Sequence, residues 1–356
     1  MNLKKVYIKL LGTLSTAVGV MIVLFLSSEQ QVHYNNAFSR RYPPHPIIKK
    51  YYMDLGFNSY YIAGADKNNL YLGNSTAPWH LLQVDLNTKD TFHLKLIPQN
   101  RDLSYRSLQI KVLSPYFFVM DGTIPFILRG RLGEWRADPW MYGRAYFSKA
   151  LPIDSNRIMI RTISTQTQRA TLGMITREQG VSVHLDTTIL KPSIDGIMDV
   201  DGELNYAHDT NMAGYLHFYT NEFLVMDNTL SQIIRRTTID TTKWAQIRLA
   251  KKSREQGVQI SAPPVIISNT GAIADDLMFI NSDRLGKNEP NNNLEEIAII
   301  DVYNWKKGTY EFSFSLNHTK KEKLREFDIV GNRLVSMQGN KLGIYHMVEK
   351  YFISNK

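Results

Sequence analysis

The amino-acid sequence predicts an all-β fold behind a single N-terminal apolar helix. After residue 30, apolar residues occur in runs of about 4 to 8, rich in Ile, Val, Tyr and Phe and separated by Gly, Asn and Asp, which is typical of β-strands. No stretch in this region sustains the i, i+3, i+4 apolar spacing of a helix across several turns. The pattern therefore excludes a doubly wound α/β fold.

One strand-turn-strand unit recurs along the chain. In its clearest copies an apolar strand ends at an Asp, a turn follows and a second strand returns, as in FLVMDNTLSQIIRRTTI around Asp227. An Asp at this place caps the turn with its own carboxylate, so its presence needs no catalytic explanation. Equivalent points lie at Asp85, Arg129, Thr176, Asp227, Asp301 and Met347. The intervals between successive points are 44, 47, 51, 74 and 46 residues, and the long one contains RLGKNEPNNN, which has the composition of an inserted surface loop.

Four of these five intervals match the length of one β-propeller blade, about 40 to 50 residues. Two more strand-like runs precede the hairpin in the first and last units, so residues 55–356 are predicted to form a β-propeller of about six four-stranded blades. A pair of β-sandwiches is the alternative. The chain resembles the single-pass, membrane-anchored β-propeller-like proteins of bacteria. It contains no WD, kelch double-glycine or regular quinone-enzyme tryptophan motif that would narrow the resemblance to a subfamily.

The N-terminal apolar segment predicts a membrane anchor. Residues 10–28, LLGTLSTAVGVMIVLFLSS, are uncharged and would form a helix of roughly 28 Å, which is enough for a bilayer core. Lys4, Lys5 and Lys9 precede the segment, whereas the first positive residue after it is Arg40, so the N-terminus is predicted to stay in the cytoplasm. The following FLSSEQQ lacks an A-x-A-like site, which favours an uncleaved anchor over a cleaved signal peptide. A buried core helix is a third interpretation.

The predicted domain organisation is an anchor at residues 1–28, a tether at 29–54 and the propeller at 55–356. It implies a single pass through the cytoplasmic membrane, with the C-terminal domain in the periplasm or another extracytoplasmic space. The basic residues of the tether either lie in a solvated linker or contact anionic headgroups.

Charge and cysteine content exclude several functions. The net charge is +9, but the first 50 residues carry seven Lys and Arg against one Glu, so the rest of the chain is nearly balanced and predicts no nucleic-acid partner. The 356 residues include no cysteine, which excludes disulfides, thiolate metal sites and a cysteine nucleophile.

The sequence predicts no catalytic residue, cofactor or metal site. It contains no G-x-S-x-G, phosphate-binding loop, G-x-G-x-x-G or H-E-x-x-H motif. Two weaker patterns resemble metal sites, the acidic stretch DVDGELNYAHD and a histidine pair. The first lacks the further carboxylates of a calcium loop and the second lacks a third zinc ligand, so a solvated turn and isolated histidines are expected. The residues concerned are Asp199, Asp201, Glu203, Asp209, His208 and His217.

The segment RGRLGEWRADPWMYGRAYF is the predicted ligand or partner surface. Its candidate residues are Arg129, Arg131, Trp135, Arg136, Trp140 and Arg144. Arginine binds carboxylates in a bidentate manner and tryptophan offers a flat stacking surface, and both are enriched at binding hot spots. The alternative is structural: the tryptophans fill the space between blades while the arginines cover them and pair with Glu134 and Asp138.

Two functions follow as hypotheses. The first is a membrane-tethered binding or scaffold module that serves a neighbouring membrane protein. The second is an exported enzyme that acts on a glycan or a small anionic substrate at the propeller channel. Carboxylates or histidines converging on the channel would favour the enzyme, and an apolar or Arg- and Trp-lined upper face without such a cluster would favour binding.

Overall fold

A computed structural model describes residues 3–100, 102–207, 209–251, 258–290 and 293–352. Within them the strands form six antiparallel blades, which confirms the predicted β-propeller. The first three blades contain the following strands. Blade 1 has β2 (Tyr60–Asp66), β3 (Asn69–Asn74), β4 (His80–Asp85) and β5 (Thr91–Lys95). Blade 2 has β7 (Gln109–Leu113), β8 (Tyr116–Asp121), β9 (Phe126–Arg131) and β10 (Arg136–Tyr142), with the short β6 (Ile97–Pro98) parallel to β10. Blade 3 has β11 (Lys149–Pro152), β12 (Arg157–Ile163), β13 (Ala170–Arg177) and β14 (Val181–Asp186).

The other three blades include the two ends of the described chain. Blade 4 has β15 (Gly202–Ala207), β16 (Met212–His217), β17 (Glu222–Asp227) and β18 (Ile233–Thr237), followed by a hairpin of β19 (Leu249–Lys251) and β20 (Val258–Ile260). Blade 5 has β21 (Ser268–Ala274), β22 (Leu277–Ser282), β23 (Ile297–Asn304) and β24 (Thr309–Asn317). Blade 6 has β25 (Leu324–Val330), β26 (Arg333–Gln338), β27 (Lys341–Met347) and, as its outer strand, β1 (Ile47–Asp54). The helices are α1 (Leu3–His33), α2 (Asn293–Glu296) and α3 (Glu349–Phe352).

The ring closes because an N-terminal strand completes the last blade. Strand β1 pairs antiparallel with β27, from Ile47 opposite Met347 to Asp54 opposite Lys341. Residues 47–54, which fall in the sequence-defined tether, are therefore part of the propeller. The innermost strands β2, β7, β11, β15, β21 and β25 are neighbours around a central channel.

The antiparallel order of each blade defines two faces of the ring. The lower face contains the turns between first and second strands and between third and fourth strands. The upper face contains the turns between second and third strands together with the connections from one blade to the next. Hydrogen bonds join these connections to the upper turns, for example from Ser75 N to Ser59 O, from Asn221 N to Thr242 O and from His318 N to Glu296 O.

The hydrophobic core is divided into six layers, one between each pair of neighbouring blades. Between blades 2 and 3, for instance, Phe118 and Ile127 pack against Ile158 and Ile175. Most strands are buried on both sides, so their sequences are continuous apolar runs rather than alternating ones. This explains why the strands were recognisable by run length and composition.

Two of the three turn aspartates act as the sequence predicts. Asp85 Oδ1 accepts hydrogen bonds from the backbone nitrogens of Asn87 and Thr88, and Asp227 likewise caps the turn after β17. Asp301 does not, because it lies within β23 and its carboxylate is buried. The turn after β23 is capped by Asn304, whose Oδ1 accepts from the nitrogen of Lys307.

The N-terminal helix projects from the upper face of blade 5. The segment Val6–Leu24 is long and apolar enough to cross a membrane, and it is exposed along its whole length. The end of the helix is joined to the turn after β22: Leu285 N donates to His33 O, and Asn35 N donates to Leu285 O.

The segment that follows the helix, residues 34–46, crosses blade 5 in close contact with it. The side chain of Arg40 is fully buried and donates to both carboxylate oxygens of Asp301, at 2.7 and 3.1 Å, and to Glu289 and Ser282. The backbone oxygen of Arg41 accepts from Ser313 N at the outer edge of β24. Within this part of the expected tether, the side chain of Arg40 is therefore held inside the propeller and not in solvent.

Candidate functional site

The central channel holds a cluster of charged side chains on three inner strands. Glu203 comes from β15, Glu326 and Asp328 from β25, and Lys111 from β7. They line a cavity of about 100 Å³, which is small compared with typical ligand pockets of about 300 to 1,000 Å³. The convergence of carboxylates was not predictable, because these residues are far apart in the sequence.

Two of the channel carboxylates join neighbouring blades. Glu203 Oε2 accepts from the backbone nitrogen of Gly271 at 3.0 Å and from Thr270 Oγ1 at 2.9 Å, which links blade 4 to blade 5. Glu326 Oε1 accepts from the backbone nitrogen of Ile62 at 2.9 Å, which links blade 6 to blade 1. An inner strand has one edge without a partner strand, and these carboxylates satisfy its N–H groups.

Burial in the channel changes the proton affinity of these groups. Burial is the main cause, the negative charge of Glu203 adds to it and Lys111 opposes it, and together they raise the pKa of Glu326 to about 7 and that of Asp328 to about 6. Burial also raises the pKa of Glu203 itself. Part of the cluster is therefore protonated near neutral pH.

The second candidate site is a groove on the lower face, between blades 2 and 3. We call it the arginine groove. It is lined by Tyr116, Arg129, Arg131, Glu134, Arg136, Asp138, Trp140 and Arg177 and has a volume of about 370 Å³. Four arginines against two carboxylates give it a positive balance, and its volume lies in the usual range of ligand pockets.

The arginines of the groove differ in how they are held. Arg129 donates to the backbone oxygen of Ser155 at 2.6 Å, and its guanidinium lies 5.1 Å from the ring centre of Tyr116. Arg131 is exposed and lies 5.9 Å from the same ring. Arg136 is also exposed, with Nε at 3.6 Å from the Asp138 carboxylate. Arg131 and Arg136 therefore present their guanidinium groups to solvent.

The two tryptophans of the predicted segment pack into the protein. Trp140 is buried between blades 2 and 3, and its indole nitrogen donates to Ser155 O at 3.2 Å. Trp135 has a left-handed backbone, with φ of 55°, and its ring stacks on Phe117 and lies near Tyr71 of blade 1. Both rings therefore make packing contacts within the protein.

The structure separates one predicted residue from the groove and adds two. Arg144 lies in the connection after β10, on the upper face, whereas the groove opens on the lower face. Arg177, at the end of β13, and Tyr116, at the start of β8, line the groove but were missed by the sequence reasoning. No local sequence signal links Arg177 to the segment, because it belongs to the next blade.

The metal-site patterns are explained by structure. Within the described residues, no group of three or more His, Asp or Glu side chains is arranged to hold a metal ion. Asp199 is buried and accepts hydrogen bonds from the nitrogens of Ile194 and Gly196, so it organises the loop before β15. His217 is buried, and burial lowers its pKa to about 4. His208 lies outside the described residues.

Comparison with known proteins identifies the fold. No protein-family model and no curated protein matches this sequence. Among solved structures, a member of the DUF4221 family from Bacteroides vulgatus has a TM-score of 0.51 and 13% identity, covering 84% of this chain and 97% of that chain. A streptogramin B lyase structure has a TM-score of 0.45 and 9% identity, covering 84% of this chain and 98% of that chain. BamB from Moraxella catarrhalis has a TM-score of 0.38 and 10% identity, covering 78% and 79%. At 13% identity, the similarity to the DUF4221 member bears on the fold alone.

Proposed function

We propose that this protein is a membrane-tethered, extracytoplasmic β-propeller that acts as a binding module for an anionic group on a partner, such as a neighbouring membrane protein. The observation that carries the proposal is the arginine groove, because it combines ligand-pocket volume with two exposed arginines. Arginine is suited to carboxylate and phosphate groups, since its planar fork donates two parallel hydrogen bonds.

The membrane tether rests on the exposed apolar helix. None of the Val6–Leu24 segment of helix α1 is buried against the propeller. These 19 mostly apolar residues would face water unless the segment lies in a bilayer or is removed by cleavage. N-terminal sequencing of native protein tests the anchor against a cleaved signal peptide, since a mature start near residue 29 would contradict it. The three N-terminal lysines support a cytoplasmic N-terminus.

The binding proposal is tested with three single variants from the same segment. Arg131→Ala and Arg136→Ala remove exposed groove arginines, and Arg144→Ala is the matched control on the other face. Binding of citrate, inorganic phosphate and polyglutamate to full-length protein is measured by titration calorimetry. For an anion that binds, loss of a hot-spot arginine weakens binding by about 2 kcal/mol, or about 30-fold, while the control leaves it unchanged. Equal effects in all three variants, or no binding of any probe, would contradict the proposal.

The alternative hypothesis is that the protein is an enzyme. One observation favours it, the convergence of three carboxylates on the channel. The cavity there is about 100 Å³, however, and two of the carboxylates already bind backbone N–H groups of neighbouring blades. A glycan requires a larger space, so this alternative is limited to small substrates. Turnover that is lost in Asp328→Asn but retained in Arg131→Ala would support the enzyme over the binding module.

A further inference from the structure

The upper face of the ring carries an unusual series of exposed apolar side chains. Five of the six blade-to-blade connections each present at least one, and the loop residues among them are Phe57, Tyr105, Tyr146, Ile194 and Trp244. Trp244 is 71% exposed, and Phe57 and Tyr146 are each 67% exposed. Exposing large apolar side chains to water is energetically unfavourable. Because almost every connection exposes such a side chain, together they form an apolar surface on this face.

The lower face lacks such residues. In the described part of the chain, no lower-face turn contains a large hydrophobic residue that is exposed. The remaining exposed apolar residues lie on α1, in residues 34–46 or on strands, including Ile97 on β6, Ile163 at the end of β12 and Val258 on β20. Among the loops of the two faces, the exposed apolar residues are therefore concentrated on the upper one.

The sixth connection carries charge instead. Residues 318–323 contain Lys320, Lys321 and Lys323, all exposed, and Lys287 lies in the neighbouring upper turn. Lys320 pairs with Glu295 at 2.8 Å. This cluster lies next to the turn to which the end of helix α1 is bonded.

The same face is connected to the membrane-spanning segment. Helix α1 reaches the propeller at His33, where Leu285 of the upper turn of blade 5 binds it. Nine residues of helix separate Leu24 from His33, a rise of about 13 Å. A bilayer that contains the apolar segment is therefore close to the upper face.

We infer that the upper face of the propeller rests on the lipid surface of the bilayer, with Trp244, Tyr146 and Phe57 at the level of the headgroups. This inference rests on the proposed membrane anchor. Tryptophan and tyrosine concentrate at the membrane interface because their rings are apolar and their edges form hydrogen bonds. The lysines near the helix are placed to contact anionic headgroups. A closed ring holds the five side chains on one rigid surface, and the arginine groove then faces away from the bilayer.

The test uses the absence of cysteine from the chain. A single cysteine at Trp244→Cys or Tyr146→Cys accepts one environment-sensitive fluorophore, and Gln179→Cys, exposed in a lower-face turn, is the matched control. Each labelled full-length protein is reconstituted in vesicles of phosphatidylcholine and phosphatidylglycerol. Nitroxide lipids with the spin label near the headgroup should quench the two upper-face labels at least about twofold more than the control, and aqueous iodide should show the reverse order.

The possible outcomes separate the inference from the anchor. If the protein floats with the vesicles but all three labels are equally accessible to iodide and insensitive to nitroxide lipids, the lipid contact is wrong and the anchor stands. That result would assign the apolar surface to a protein partner instead. If the protein does not float with the vesicles, both the anchor and the inference are overturned. Because the labelled positions are exposed, the cysteine substitutions leave the core intact.

Discussion

Arg40 provides the sharpest test of how the N-terminal segment is attached to the ring. Its guanidinium is completely buried, and it donates hydrogen bonds to Asp301, Glu289 and Ser282. Arg40→Ala removes the positive charge but leaves both carboxylates in place, where they are almost completely buried. The cost of breaking a buried ion pair by removing one partner is about 3 to 5 kcal/mol, because the remaining charge is uncompensated.

The adjacent residue supplies a matched control. Arg41 is exposed, and its guanidinium binds the backbone oxygens of Tyr310 and Glu311. Arg41→Ala should therefore cost no more than about 1 kcal/mol, as is usual for exposed charged groups. Both variants change the net charge by the same amount, so a difference between them reports burial and not overall charge.

The measurement is a thermal melt of the full-length protein in detergent, followed by circular dichroism. For a folded domain of about 300 residues, a loss of 3 to 5 kcal/mol corresponds to a Tm decrease of roughly 5 to 8 °C for Arg40→Ala, whereas Arg41→Ala should shift Tm by less than about 2 °C. Arg40→Lys should fall nearer to the alanine variant, because an ammonium group cannot reproduce the fork that binds Asp301. Similar Tm values for Arg40→Ala and Arg41→Ala would refute the conclusion that the buried Arg40 ion pairs stabilise the fold.

Further predictions concern the channel, a turn and the groove. The raised pKa values of Glu326 and Asp328 mean that the folded protein binds more protons than the unfolded chain, so stability should be greatest at mildly acidic pH and fall as pH rises through about 7. Melts across this range should show the fall, and Glu326→Gln should flatten it; a profile that is equally steep in the variant would contradict the assignment. Asp85→Ala removes a turn cap and should lower the midpoint of a urea titration, with Asp90→Ala as a near-neutral control in the same turn. Arg131→Ala should leave Tm within a few degrees, since its side chain is exposed, and a large Tm decrease would assign it to packing instead.

The fold was predictable because its signal is local and repeated. The six equivalent points chosen from the sequence all lie on the third strands of blades. These include Arg129 and Met347, where the strand-turn-strand unit lacks the Asp. The long fourth interval is explained by the β19–β20 hairpin and the extended turn after β22. The sequence pattern places strand β1 in the tether, because an outer strand that pairs with a partner about 300 residues away leaves no local pattern.

The candidate sites were less predictable, because each brings together residues that are far apart in the sequence. The arginine groove draws Arg129, Arg131 and Arg136 from one segment that the sequence makes visible, but Arg177 comes from the next blade. A tryptophan in a sequence can fill a core or form a binding surface, and only the packing against Phe117 and its neighbours distinguishes the two. The role of Asp301 was also not predictable from local sequence. Its sequence context is like that of the turn-capping aspartates, but its carboxylate is buried and binds the distant Arg40.

The pairing of β1 with β27 also governs how the protein is made. Strand β1 leaves the ribosome about 300 residues before its partner, which at 5 to 20 residues per second is a delay of roughly 15 to 60 seconds. During that time its backbone groups have no partner strand, and the faces of blades 5 and 1 that pack against blade 6 are not yet covered. A chain that ends before β27 would leave strand β1 unpaired and accessible to proteases. Only a chain that includes β27 can protect its N-terminal strand.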